Sequence, residues 1–102
     1  MNFSDALREA RDNGHKIARR GWNGKDMWVA VSPGNPKLAA ESFWSYQARR
    51  FAEERGGHAE VLPCLIMKTA DNKIQLGWLA SQSDLLARDW EIVPTQSRSE
   101  AA

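Results

Sequence analysis

Residues 68–93, KTADNKIQLGWLASQSDLLARDWEIV, leave this chain few ways to fold, because a turn, a strand, a helix start and a second strand follow one another with almost no spare residues. Asp71-Asn72 reads as the turn and Ile74-Gln75-Leu76 as the strand returning from it. Ser81, three residues before Asp84, has the form of a capping box and opens a short helix through Leu85, Leu86 and Arg88. Trp90-Glu91-Ile92-Val93 alternates as a closing strand, which Pro94 ends. Around the ring of Trp78 this stretch gathers Lys68, Thr69, Asp71, Ser81, Gln82, Ser83 and Asp84, with no obvious nucleophile or metal ligand among them. Such a set suits binding.

The upstream chain reads as its support. A first helix is expected over residues 4–13, with Ser4 or Asn2 as N-cap, Phe3, Leu7 and Ala10 on one side, and Gly14 to stop it. Lys16 to Arg20 and Met27 to Val31 alternate as two strands, and the Asn23-Gly24 pair between them predicts a hairpin. Pro33, Gly34 and Pro36 break the pattern. Phe43-Trp44, Gln47-Ala48 and Phe51-Ala52 then recur at helical spacing, predicting a second helix over residues 42–55, docked on a sheet with Arg49, Arg50, Glu53 and Glu54 in solvent. Its exposed side, with Tyr46, Arg49 and Arg50, is a candidate oligomer interface. Residues 61–67, VLPCLIM, read as a buried central strand in which Pro63 requires a local bulge or an edge position at the start. The expected fold is α+β, a small antiparallel sheet of about five strands with two or three helices packed against it. We place one ligand-binding domain at 1–94 and a disordered tail at 95–102.

Charge and cysteine content narrow the function. Fourteen Lys and Arg against 13 Asp and Glu give a formal charge of +1, so no global field draws the chain onto nucleic acid or an anionic membrane. One cysteine, Cys64, excludes an internal disulfide and every multi-cysteine metal site, which favours a reducing compartment. The charged N-terminal residues lack a signal peptide's apolar stretch, and no run is long enough to span a membrane, so a cytoplasmic location is expected.

His58-Ala59-Glu60 followed by Pro63-Cys64 superficially resembles the half-motifs of zinc nucleobase deaminases. The second cysteine position is Met67, and the two halves stand too close to come from separate helices. His15 and His58 have no visible triad partner and read as solvated side chains. Neither a P-loop nor a dinucleotide fingerprint occurs. Local basic charge is nonetheless present. The segment His15 to Lys25 carries Lys16, Arg19, Arg20 and Lys25 without an acid, beside Trp22 and close to Trp28. Basic groups beside indoles suit a ligand with phosphates and a flat base; the alternative is an ordinary exposed hairpin with its indoles packed inward. Of five tryptophans, Trp44 and Trp90 are expected in the core, and Trp22 and Trp78 at a cleft. Asp84 is either a cap residue or a partner for ribose hydroxyls.

Four blocks, RRGWNGK at 19–25, MKTAD at 67–71, WLASQSDLL at 78–86 and DWEIV at 89–93, together with FSDAL at 3–7, closely resemble the type-two Thoeris anti-defence family. The resemblance spans residues 3–93, with 33–60 the segment least matched. It implies a small phage or prophage protein acting in the infected bacterial cell. Such a protein binds the glycocyclic ADP-ribose signal of a TIR-domain enzyme without cleaving it, so that an NAD-degrading effector stays off. Family members are homo-oligomers, with a tetramer the expected form, and some also sequester cyclic dinucleotides. Carried onto the matching blocks, the resemblance implies ligand-binding roles for Arg19, Trp22, Asn23, Lys25, Lys68, Thr69, Trp78, Ser81, Gln82 and Asp84. In these roles Trp22 or Trp78 stacks on adenine, Arg19 or Lys25 meets the pyrophosphate, and Asp84 accepts from ribose hydroxyls. No catalytic residue, metal or cofactor is implied. Position 26 departs from the family pattern, with Asp where Gly is expected. Two rival functions are a cyclic-nucleotide hydrolase built on Asp71, Asp84 and Asp89, and a single-stranded nucleic-acid or protein interaction module built on the basic hairpin.

Overall fold

The computed structural model describes residues 1–22 and 25–95. Asn23 and all of the expected disordered tail except Thr95 lie outside the described residues. Among the described residues the fold is α+β, with three α-helices, a five-stranded antiparallel sheet and a two-stranded sheet. Residues 33–63 form one compact unit, and the chain on either side of them forms another.

The larger unit begins with α1, Phe3–Asn13. Asn2 is its N-cap, accepting from the Asp5 N–H at 2.8 Å, and Gly14 ends it at φ 71, the left-handed conformation that glycine adopts without a Cβ penalty. Its buried positions are the small Ala6 and Ala10, which let the helix backbone lie close to the sheet. That sheet has the order β6-β5-β2-β1-β7. Its strands are β1 Lys16–Arg19, β2 Trp28–Ser32, β5 Cys64–Lys68, β6 Ile74–Leu76 and β7 Trp90–Val93. Successive side chains alternate between faces, and one face supplies Ile17, Val29, Met67 and Trp90 to the core beneath α1.

The first hairpin is looser than its Asn-Gly pair predicts. After Arg19 the chain enters a 3-10 turn, Arg20–Trp22, and β1 and β2 share the single rung Ile17↔Val29. Along its whole length β1 pairs instead with β7, from Lys16↔Val93 to Arg19↔Trp90. The Arg20 N–H continues in that direction, donating to the Asp89 carbonyl at 3.0 Å. Downstream, the Asp71-Asn72 turn forms as expected, with Asn72 at φ 64. The capping box at Ser81 and Asp84 opens α3, Gln82–Leu86, which is shorter than the helix expected through Arg88.

The apolar run 61–67 is not one buried strand. It divides at Leu62-Pro63 into β4, His58–Val61, and β5, because Pro63 has no N–H for a ladder and Leu62 is turned out to 72% exposure. Of the β5 side chains only Met67 is buried. β4 belongs to the unit at 33–63, where it pairs with β3, Asn35–Ala39. That strand forms despite Pro33, Gly34 and Pro36, because the register shifts between Asn35 and Leu38 and so takes Pro36 out of the ladder. Gly34 is required at φ 75, where a Cβ would fall 2.3 Å from the Val61 carbonyl oxygen. His58 pairs with Ala39 in this sheet and is half-buried, where the sequence suggests a solvated side chain.

Helix α2, Tyr46–Glu53, is shorter than the periodicity predicts, since Ser45 caps it by accepting from the Ala48 N–H. Trp44 therefore precedes the helix, and helical spacing has no hold on it. It is 92% exposed, which corrects its assignment to the core. Within α2 only Ala52 is buried, while Phe51 is half exposed with the Arg55 guanidinium 4.6 Å from its ring. Among the described residues no helix is long and apolar enough to cross a membrane.

Trp90 is the largest side chain in the core, at 1% exposure, so truncating it leaves a cavity that its neighbours cannot fill. We expect Trp90→Ala to lower the free energy of unfolding by about 3–5 kcal/mol in urea titrations at pH 7. A loss below about 1 kcal/mol would contradict its place at the centre of the packing.

Candidate functional site

Residues that alternate away from the core line a cleft on the other face of the sheet. Lys16 and Ala18 flank the buried Ile17 on β1; Glu91 and Val93 flank Ile92 on β7; Trp28 and Lys68 face each other across β2 and β5. The connection after β1 closes the cleft with Arg20, Trp22, Lys25, Asp26 and Met27, and Arg19 reaches it from the end of its strand. The cleft volume is about 400 Å³. Five cationic side chains therefore meet two indoles and a thioether, with Asp26 and Glu91 as the acidic members.

Local contacts hold several of these groups. The Lys16 ammonium lies 5.4 Å from the Trp28 ring centroid, and the Lys68 ammonium donates to the Asp26 carbonyl at 2.9 Å, tying the β1–β2 connection to β5. Asp26 has φ 55, a conformation that glycine takes at lower cost. On β7 and the turn, Arg20 and Glu91 approach to 3.7 Å as an exposed pair, which contributes little to stability.

Trp22 forms the end wall. Its ring meets Trp90 edge-on at 5.3 Å and Trp78 at 6.1 Å, and Trp78 meets Trp90 at 6.3 Å, so the three indoles make one cluster. Trp90 anchors that cluster through Nε1, which donates to the Asp84 carbonyl at 2.8 Å. Both wall indoles are half-buried.

Beside the cluster runs a charged network. Arg19 donates through Nε to Asp89 and through a terminal nitrogen to Asp84, each at 3.0 Å. The other Asp89 oxygen accepts from the Gly21 N–H at 2.8 Å, and the other Asp84 oxygen accepts from the Ser81 N–H and hydroxyl. Hydrogen bonds to the two carboxylates, Asp84 first, raise the Arg19 guanidinium further above its usual value. Asp89 is held below the usual carboxylate range by Arg19 and then by the Gly21 N–H. Burial pushes Asp84 up, but its hydrogen bonds from Arg19 and Ser81 outweigh that and leave it lowered.

Of the residues singled out in the sequence, Arg19, Trp22, Lys25 and Lys68 line the cleft. Asn23 lies outside the described residues. Thr69 closes the β5–β6 turn, accepting from the Lys73 N–H and donating to Asp71 at 2.6 Å; that donation, followed by the Lys73 ammonium, lowers the Asp71 carboxyl. Trp78 packs behind Trp22, Ser81 and Asp84 form the α3 cap, and Gln82 is exposed at the start of that helix. Lys16, Arg20 and Trp28, which the sequence groups as basic side chains beside indoles, also line it, and Asp26, Met27 and Glu91 complete the lining without having been assigned to it from the sequence. For Glu91 the available signal is strand alternation, which places it with Lys16 and Trp28 on a face opposite Ile17, Val29 and Trp90.

The network titrates with a definite sign. Asp84 and Asp89 are lowered in the folded state, so their ion pairs contribute fully above the ordinary carboxylate value near 3.9, and that contribution is lost as pH falls through the lowered values. In urea titrations the stability gap between wild type and Asp89→Asn is expected to be widest at neutral pH and to narrow progressively as pH falls below the ordinary carboxylate value near 3.9. A gap that stayed constant across that range would contradict the charged network.

Two comparisons bear on this geometry. Residues 1–93 match the model of the Thoeris anti-defense 2-like domain. Over 93 residues, covering 91% of this chain and 94% of the relative, the sequence is 37% identical to Thoeris anti-defense 2 of Bacillus phage SP01. The cleft and its indole cluster are built from segments inside that match, and the chain belongs to the Thoeris anti-defense 2 family.

Proposed function

We propose that this protein sequesters glycocyclic ADP-ribose, the signal of Thoeris immunity, by binding it intact in the cleft on the sheet. The observation that carries this is the meeting of Trp22 and Trp28 with Lys16, Lys25 and Lys68 around about 400 Å³ of space. An adenine needs a flat apolar platform, and a pyrophosphate needs cations that keep their donors available. Trp22 supplies the platform in this account. Lys25 and Lys68 meet the pyrophosphate, while Arg19, committed to Asp84 and Asp89, shapes the wall. Thr69, Trp78, Ser81, Gln82 and Asp84 then act chiefly by holding the turn, the indole cluster and α3 in place.

Sequestration works by mass action, so the affinity must reach the nanomolar range, about −12 kcal/mol, with protein at least stoichiometric to signal. A homo-oligomer, with a tetramer the expected form, belongs to the same proposal. Exposed apolar groups on each unit support it: Trp44, Tyr46 and Leu62 on one, Leu79 and Leu86 on the other. Cyclic dinucleotides share the phosphate and base chemistry and are the second ligand class to test.

Isothermal titration with glycocyclic ADP-ribose tests the placement. Stacking of a base on an aromatic ring contributes about 1–3 kcal/mol, so Trp22→Ala is expected to weaken binding roughly 5- to 150-fold. Lys25→Ala removes a charge-assisted contact of about 1.5–3 kcal/mol and should weaken binding at least tenfold. Wild-type affinity in both variants, with far-UV circular dichroism unchanged, would show that the ligand binds elsewhere.

A further inference from the structure

The Trp22 wall is set by a residue outside the cleft lining. Asp89 ends the segment between α3 and β7, and its carboxylate spans two groups of the β1 end: Oδ1 accepts from Arg19 Nε at 3.0 Å and Oδ2 from the Gly21 N–H at 2.8 Å. Its backbone carbonyl takes the Arg20 N–H at 3.0 Å. Residues 19, 20 and 21 are thus all fastened to residue 89, and the next side chain is Trp22. The fit is close. A Cβ at position 21 would stand 3.0 Å from Asp89 Oδ2 and 3.7 Å from an Arg19 terminal nitrogen, so the carboxylate can reach the N–H because position 21 is glycine. Gly21 is needed here for close approach.

Resting on the cleft as the ligand site, we infer that Asp89 is a positioning residue for ligand binding: it holds the Arg20–Trp22 turn so that the Trp22 ring stays edge-on to Trp90 and faces the cleft. It touches no ligand and acts through Trp22. An ionised carboxylate is required because both oxygens must accept at once, one of them from a guanidinium. An asparagine of the same shape offers one acceptor oxygen, and its amide nitrogen is a donor facing another donor. Releasing the Gly21 N–H frees the turn, and Trp22 then samples orientations in which its face no longer lines the cleft.

The test is a double-mutant cycle read by titration with glycocyclic ADP-ribose. Asp89→Asn is expected to weaken binding about tenfold in the wild-type background and less than about twofold in Trp22→Ala, because the two changes remove the same platform. Equal losses in both backgrounds would overturn the positioning role. Two readouts need no ligand. The near-UV circular dichroism band that disappears in Trp22→Phe should change in Asp89→Asn, and the Gly21 amide should exchange with deuterium faster. If wild type binds no glycocyclic ADP-ribose, the ligand assignment fails, while these two signals still decide whether Asp89 orients Trp22. Unchanged signals in both would refute it. Should Asp89→Asn not fold, Gly21→Ala, which crowds the same carboxylate, is expected to give the same near-UV change; a spectrum identical to wild type would refute the contact's role. Asp12→Asn, an exposed carboxylate paired with Arg11 on α1, serves as the control and should match wild type throughout.

Discussion

The indole of Trp90 is the contact on which the larger unit depends. It is buried beneath α1, where Phe3 meets it at 5.1 Å, and on its other sides it meets Trp22 and Trp78. Its Nε1 donates to the Asp84 carbonyl, so the ring also fixes where α3 ends. One apolar side chain thereby joins the first helix, the closing strand, the capped helix and the aromatic wall of the cleft. Burying so large a ring is one of the larger single apolar contributions to the fold, and its one polar atom is satisfied.

From that anchor strand alternation sorts the sheet's side chains between the core and the cleft. Ile17, Val29 and Met67 point with Trp90 into the core, while Lys16, Trp28, Lys68 and Glu91 point away from it. A slip of one residue in the β1–β7 register would exchange the two sets, putting Lys16 in the core and Ile17 in the cleft. Arg19 holds that register from the side, since it reaches both Asp84 and Asp89. Arg19 is thus committed to the frame of the cleft, while Lys68 both lines the cleft and ties the β1–β2 connection to β5.

Much of this was legible in the sequence where short-range chemistry decides the outcome. Gly14, the Asp71-Asn72 turn and the Ser81–Asp84 box each set the local backbone through a side chain or a left-handed residue, and all three formed as expected. The family blocks were legible too, and the matching family confirms them. What could not be read depends on partners distant in the chain. Trp44 looked apolar and periodic, yet the Ser45 cap starts the helix after it. β3 is hidden in the sequence because a bulge accommodates Pro36, and the 61–67 run reads as one strand because apolar content does not show where Pro63 divides it. The network at Asp89 joins residues 70 apart, and no spacing rule points to it.

Binding without cleavage is the central claim, and one experiment addresses it most directly. Purified protein is mixed with a sub-stoichiometric amount of glycocyclic ADP-ribose, the protein is separated, and the bound fraction is heated to unfold it. The account predicts that free signal is depleted in proportion to protein added and is recovered chemically intact after heating. Recovery of an altered nucleotide would contradict sequestration and make the protein an enzyme, and no depletion would mean that this signal is not its ligand.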